Sequence, residues 1–192
     1  SMNTEKLKRG GKERLISLNA SETLALTKPE EWTNVEINVD IGILRIGTNS
    51  NDTLDDTTLA FACRTEPCIF IYPDELSIKL ESISDSSFSI KYNREGKQNR
   101  VNSIVDWVLH FHMIRRETNI NSRLYKLFEL LTTKLGKRTT EGYLLEHTLS
   151  HARIAEMIGS TRSTVSRGIS NLRKSKRIHI DDLKNQLIIP AN

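Results

Sequence analysis

Residues 150–167 read Ser150-His151-Ala152-Arg153-Ile154-Ala155-Glu156-Met157-Ile158-Gly159-Ser160-Thr161-Arg162-Ser163-Thr164-Val165-Ser166-Arg167, and their apolar spacing decides the fold of the last third of the chain. Ser150 is placed to begin a helix carrying Ile154, Ala155, Met157 and Ile158, which Gly159 ends. Gly159-Ser160-Thr161 forms the turn, and Thr161 caps a second helix from Arg162 to about Ser175, its hydroxyl accepting from a backbone N–H that the first helical turn leaves unpaired. Val165, Ile169 and Leu172 recur at intervals of four and three, so they form the buried stripe. Arg162, Ser163, Ser166, Arg167 and Ser170 are left facing outward. Such a pair of helices, with arginine and small hydroxyl residues at the exposed N-terminal face of the second, matches the geometry that enters a major groove. A planar guanidinium there can donate to O6 and N7 of one guanine.

The adjoining C-terminal segment agrees with this reading. Arg173-Lys174-Ser175-Lys176-Arg177 places four cations near the end of the second helix. Ile178-His179-Ile180 and Leu187-Ile188-Ile189 alternate as two strands around Asp181–Gln186, a wing with Lys184 near its tip. Charge is divided the same way: residues 122–192 hold 13 Lys/Arg against 6 Asp/Glu, whereas residues 1–121 carry a net −3. A polyanion is the natural partner of such an end, through contacts that weaken with salt.

Towards the N-terminus, Tyr143–Leu149 is expected as a short strand, and Ser122 as the N-cap of a helix over Arg123–Gly136 with Leu124, Leu127, Phe128, Leu131 and Leu135 on one stripe. The helix before it bears Val101, Ile104, Val105, Trp107, Val108, Leu109, Phe111 and Ile114, apolar on most of its circumference. It therefore needs two partners. One is the β-unit upstream; the other is most economically a second copy, along a seam of Val101, Ile104/Val105, Val108 and His112/Arg115, with Phe111 counted among the dimer-helix residues. The alternative is complete burial within one chain.

Residues 3–13 are expected to form a polar, basic tail. Val35, Ile37, Val39 and Ile41 alternate with polar residues, and Leu59–Cys63 and Cys68–Tyr72 are short apolar runs, giving a small antiparallel β-unit over 32–72 with a loop at Thr48–Thr57. Pro73-Asp74-Glu75 is expected to start a short helix ending at Ser82. The whole is an α+β chain: a reduced antiparallel β-sandwich or partial jelly roll with a short helix over 1–84, a dimerisation helix over 85–120, and a winged helix-turn-helix over 121–192.

Chemistry of other kinds finds little support. Residues 1–109 contain no histidine, which removes an imidazole metal site or a haem ligand from the β-unit, and no nucleophile motif is recognisable, so an enzyme is not expected. His110 and His112 lie two apart on a helix, about 200° around its axis, too far for one metal. Two cysteines, Cys63 and Cys68, cannot by themselves supply a zinc or iron–sulfur site; a C-x4-C pair could form a disulfide, but reduced thiols buried in a β-core are the plainer expectation. No metal and no cofactor are expected. No stretch of about 18 apolar residues suggests a membrane span, and a cytoplasmic protein is expected.

The run Ile154–Arg167 with the wing behind it strongly resembles the C-terminal domain of the CRP/FNR family, and it shares with the cyanobacterial nitrogen regulators of that family the Ile158–Arg162 run and Ser122-Arg123-Leu124. The resemblance implies that Arg162 and Arg167 read base edges, with Ser163 and Ser166 counted among the base-reading residues, that Ser150, His151, Thr161 and Thr164 hold phosphates, and that Lys184 does so from the wing. Ser163 stands where the family's best-known member has a base-reading glutamate, so the half-site should differ. Gly168 stands mid-helix where a larger apolar residue is usual, at a cost of about 1 kcal/mol relative to alanine. No Gly-Glu plus Arg-Ser cassette for a cyclic nucleotide is found. The implied function is a homodimeric regulator that binds double-stranded DNA at a palindromic promoter site, with RNA polymerase or a regulatory protein as a further partner. Its activity is constitutive, partner-controlled, or governed by a 2-oxo acid. The alternative is an interaction protein or anti-regulator that pairs with another family member and does not read DNA.

Overall fold

The computed structural model describes residues 14–28, 33–49, 56–94 and 101–192. The expected basic tail at 3–13 and most of the expected loop within 48–57 lie outside the described residues.

Two antiparallel four-stranded sheets form the N-terminal unit. In the first the order is β1 (Ile16–Leu18), β8 (Ser86–Arg94), β3 (Thr33–Ile41), β6 (Cys68–Ile71). In the second it is β2 (Thr23–Ala25), β7 (Ser77–Ser82), β4 (Leu44–Asn49), β5 (Asp56–Ala62). Alternate residues of both sheets, among them Val35, Ile37 and Val39 of β3, Leu44 and Ile46 of β4, Ile78 and Leu80 of β7, and Phe88 and Ile90 of β8, belong to one buried cluster. This is the period of two that a strand with one buried face requires.

The strand unit is larger than expected, running from Ile16 to Arg94 instead of 32–72. The helix expected over Pro73–Ser82 is not formed: Asp74 and Glu75 make a turn, and β7 comes next. Alternation outweighs the Pro-Asp-Glu signal here, because Ile78, Leu80 and Ser82 are buried while Lys79 and Glu81 lean outward. Tyr72 pins the change of direction, its hydroxyl donating to the Leu26 carbonyl at 3.1 Å and accepting from the Ile78 N–H at 3.1 Å.

Of the stretch 85–120, residues 86–94 are β8, so the helix is shorter than expected. It is α1 (Ser103–Arg115), capped by Asn102, whose side chain accepts from the Val105 N–H. Trp107, Phe111 and Ile114 are buried, with Trp107 edge-on to Phe61 of β5 at 5.5 Å. Phe111 therefore faces the chain's own core and is not part of an outward seam. Val105 and Met113 remain 51% and 59% exposed, and Val108, Leu109 and His112 are exposed as well, so this second apolar face is not absorbed by the single chain; Val101, expected on the dimer helix, lies exposed ahead of the Asn102 cap and outside α1. Ile104 is half-buried between the two faces.

Helix α2 (Ile120–Leu135) begins three residues earlier than expected, because Asn119 takes the capping place assigned to Ser122 and accepts from the Asn121 and Ser122 N–H groups. Lys134, near its end, reaches Asp106 of α1 at 3.0 Å and Glu66 of the β5–β6 turn at 3.3 Å, above the Trp107 ring. Burial works against its charge, but the two carboxylates outweigh burial and hold its pKa above the ordinary value.

Both cysteines are free and buried, as expected. Burial pushes the Cys68 thiol up to about 12 from 9.0, against a hydrogen bond from Ser103. Such a thiol holds about a thousandfold less thiolate than a free one. We expect iodoacetamide at pH 8 to leave Cys68 unmodified in the folded protein over hours and to modify it within minutes in urea, read by mass spectrometry. Rapid native labelling would contradict this burial.

A candidate nucleic-acid interface

The C-terminal domain is built from α2, α3 (His151–Ile158), α4 (Arg162–Lys174) and a sheet of order β11 (His179–Asp181), β12 (Gln186–Pro190), β10 (Gly142–Leu145), β9 (Lys137–Arg138). The expected caps are in place. Ser150 accepts from the Arg153 N–H at 3.1 Å, Thr161 accepts from the Thr164 N–H at 3.2 Å, and Gly159 turns the chain with a left-handed φ of 68°. The strand expected over Tyr143–Leu149 is confined to Gly142–Leu145, with Thr148 bonded to Asn185 of the wing turn.

Val165, Ile169 and Leu172 are buried, and Gly168 joins them. A Cβ on Gly168 would lie 2.3 Å from Leu124 Cδ1 of α2. A side chain there would have to displace the buried Leu124 methyl, which favours glycine at a position where it costs helix stability locally.

The expected contact residues separate into two groups. Arg162, Ser163 and Arg167 stand exposed on the N-terminal half of α4, with Arg167 Nη2 at 3.4 Å from Thr164 Oγ1. Arg162 makes no side-chain hydrogen bond or ion pair among the described residues. Thr161 and Ser150 are exposed at their helix starts, Thr164 is half-buried, and Lys184 is exposed near the wing tip. Ser166 and His151 are turned toward each other instead. The Ser166 hydroxyl donates to the Arg162 carbonyl at 3.0 Å, and His151 Nδ1 lies 2.6 Å from Ser166 Oγ; with the hydroxyl proton committed to the carbonyl, the imidazole supplies the proton of that contact.

Two of the four cations at the end of α4 have structural work that the sequence did not reveal. Arg173 pairs with Asp182 at 3.0 Å and reaches the Ile180 carbonyl, fastening the wing to α4. Arg177 stacks over the Tyr125 ring of α2 at 3.9 Å. Lys174 and Lys176 stay exposed.

Helix α3 is held from three sides. Arg115 of α1 donates to the carbonyls of Met157 (3.0 Å) and Glu156 (2.8 Å), and Arg123 of α2 donates to that of Ile158 (3.5 Å), so cations satisfy carbonyls that the helix end leaves unpaired. From the β-unit, Thr58 of β5 donates its N–H to Glu156 Oε1 at 2.7 Å and its hydroxyl to Oε2 at 2.8 Å. Arg153 donates to the Asp56 carbonyl at 3.1 Å and lies 3.6 Å from its carboxylate. That carboxylate also meets Arg45 (2.5 Å) and Lys79 (2.9 Å), while Arg45 Nε donates to Glu81 at 2.8 Å. Burial raises the Asp56 pKa, but the bonds from Arg45 and Lys79 outweigh it and hold the carboxyl below its ordinary value.

Residues 122–191 match the family model of the Crp-like helix-turn-helix domain. Over 62 residues the chain is 42% identical to the global nitrogen regulator of Synechococcus elongatus, an alignment covering 32% of this chain and 28% of that one. Over 66 residues it is 39% identical to the global nitrogen regulator of Nostoc sp., covering 34% and 30%. The chain thus matches less than a third of the length of those relatives. Among solved structures it is similar to FixK2 of Bradyrhizobium japonicum (TM-score 0.68, 16% identity, 92% of each chain) and to a CooA variant from Carboxydothermus hydrogenoformans (TM-score 0.63, 19% identity, 92% of this chain and 83% of that one). At such identities the likeness speaks for the fold alone. Residues 122–191 are thus similar to the Crp-like helix-turn-helix domain, and the chain as a whole shares its fold with FixK2 and the CooA variant.

Proposed function

We propose that the chain is a transcription regulator that binds double-stranded DNA as a homodimer on a palindromic promoter site, without a cyclic nucleotide. The observation that carries this is that Arg162, Ser163 and Arg167 are all exposed on the N-terminal half of α4, in a basic domain whose wing also leaves Lys184 exposed. In this reading Arg162 and Arg167 donate to guanine edges, Ser163 approaches the bases, and Ser166 contributes by holding Arg162 and His151 in place. Ser150, His151, Thr161, Thr164 and Lys184 meet phosphates. Two copies joined along the exposed face of α1 bring their α4 helices to grooves one helical turn apart, roughly 34 Å. In the β-unit the buried guanidinium of Arg45 is committed to Asp56 and Glu81, which argues against its use for a nucleotide phosphate. A cytoplasmic site of action, and contact with RNA polymerase or a regulatory protein, belong to the same proposal; no described helix is long and apolar enough to cross a membrane.

Selection of bound sites from a random DNA pool, followed by titration, tests it. Arg162→Ala or Arg167→Ala is expected to cost about 1–3 kcal/mol on the selected site and little on random DNA. Lys184→Ala should weaken both alike and lower the salt slope by about one. Equal losses for Arg167→Ala on both DNAs would remove its base-reading role. A purified dimer indifferent to every DNA would favour the interaction-protein alternative.

A further inference from the structure

We infer that Thr58 and Asp56 of the β-unit, with Glu156 and Arg153 of α3, are positioning residues that fix the angle at which each copy presents α4, and so set the spacing between half-sites that the dimer accepts. This deepens the DNA-reading dimer of the proposed function and rests on it.

Strand β5 is the edge of its sheet, with β4 on one side only. An edge strand carries unpaired N–H groups, and water would normally satisfy them. Here the Thr58 N–H and hydroxyl both donate to one carboxylate, Glu156, from a helix 98 residues further along the chain. A carboxylate that accepts two convergent donors is fixed in both position and rotation, in a way that apolar packing alone would not impose. Arg153, one turn earlier on α3, adds the Asp56 carbonyl and carboxylate and is itself 3.5 Å from Glu156. Asp56 is in turn held by Arg45, whose side chain is 0% exposed, so the anchor extends into the interior of the β-unit. Helix α3 packs on α4, with the His151–Ser166 contact between them, so an orientation imposed on α3 is passed to Arg162 and Arg167. The pairing of Arg153 and Glu156 of α3 with Asp56 and Thr58 of β5 across two domains limits rotation.

The test uses the full chain and three palindromic duplexes, one with the selected half-site spacing and two with one base pair added or removed. Wild type should prefer the selected spacing by about tenfold or more, whereas Glu156→Ala and Thr58→Val should bind the three within about threefold, a coupling in the ordinary range between linked sites. Glu156→Gln, whose amide oxygen still accepts from the Thr58 N–H, should keep most of the preference. Hydrogen exchange at the Thr58 amide should accelerate about tenfold or more in Glu156→Ala but not in Glu156→Gln, reporting the junction independently of DNA. If Thr58 exchange accelerates while the spacing preference stays at the wild-type ratio, or if wild type has no spacing preference, the inference is overturned. If wild type binds no DNA, the proposed function itself fails, and Thr58 exchange still reports whether the junction exists.

Discussion

Arg45→Met lowers the free energy of unfolding by about 3–5 kcal/mol, because it removes one member of a buried ion network and leaves the others behind. The guanidinium is 0% exposed and answers to Asp56 and Glu81, whose side chains are only 13% and 23% exposed. The fold makes room for this arrangement. At Gly47 an added Cβ would lie 2.5 Å from Arg45 Nη1 and 2.5 Å from Asp56 Oδ1, so any larger residue would displace the pair. Without Arg45, Glu81 is left with no cation at its carboxylate in the described contacts, and Asp56 retains only Lys79 and Arg153. Urea denaturation of the variant measures the loss. A triple variant, Arg45→Met with Asp56→Asn and Glu81→Gln, removes the stranded charges and should recover a large part of it, since most of the cost is carboxylate left without compensation. The pH dependence has a definite sign. Asp56 ionises below its ordinary 3.8, so its contribution is complete above that value and is lost as acid takes the pH down through the folded-state pKa. A loss under about 1 kcal/mol for Arg45→Met would mean the network is worth no more than an exposed pair.

The C-terminal domain was legible in the sequence because each of its elements is fixed by near neighbours. Ser150 and Thr161 cap the helices they precede, Gly159 supplies the left-handed turn, and Val165, Ile169 and Leu172 repeat at the helical period. The same local grammar misled the reading of the β-unit. Pro73-Asp74-Glu75 has the composition of a helix start, yet the residues after it alternate, and the inward positions Ser82, Ser84 and Ser86 are polar enough to hide the alternation. Those serines are tolerated in the core because they bond one another: Ser82 Oγ donates to Ser86 Oγ at 2.8 Å, and Ser86 Oγ to the Ser84 carbonyl at 2.7 Å. In α1 a circumference that is apolar almost throughout states that two faces are covered but not which residue goes to which. Phe111 went to the core only because Trp107 and Phe61 were waiting there. The junction of Thr58 and Asp56 with Glu156 and Arg153 carries no local signal whatever, since nearly a hundred residues separate the partners. Gly168 is the instructive middle case: its oddity was visible in the sequence, its cause only in the crossing of α2 and α4.

Val105→Asp combined with Val108→Asp converts the protein to a monomer and reduces its affinity for the selected palindrome by about a thousandfold, if α1 is the seam between two copies. Within α1 the spacing Val105, Val108, His112, Arg115 advances by three, four and three, the repeat that keeps one stripe facing a partner helix. All four of these residues are exposed in the single chain, while Trp107, Phe111 and Ile114 occupy another, buried side. Leu109 and Met113, 58% and 59% exposed, flank the stripe and widen it. A helix in water has no reason to display so much apolar surface in one contiguous band unless that band is covered. Two aspartates per copy place four like charges along a seam with no cation of its own apart from Arg115, and desolvating unpaired carboxylates costs several kcal/mol, enough to outweigh the packing of one helix pair. Because Val105 and Val108 already face solvent in the monomer, the melting temperature of the isolated subunit should hardly change, which separates loss of pairing from loss of fold. Sedimentation gives the mass, and titration against the palindrome and against a single half-site gives the rest. The variant should bind the half-site as wild type does, through the same Arg162 and Arg167, and gain nothing from the second copy of the sequence. A double variant that still sediments as a dimer would place the interface elsewhere, and the α1 band would then need another occupant.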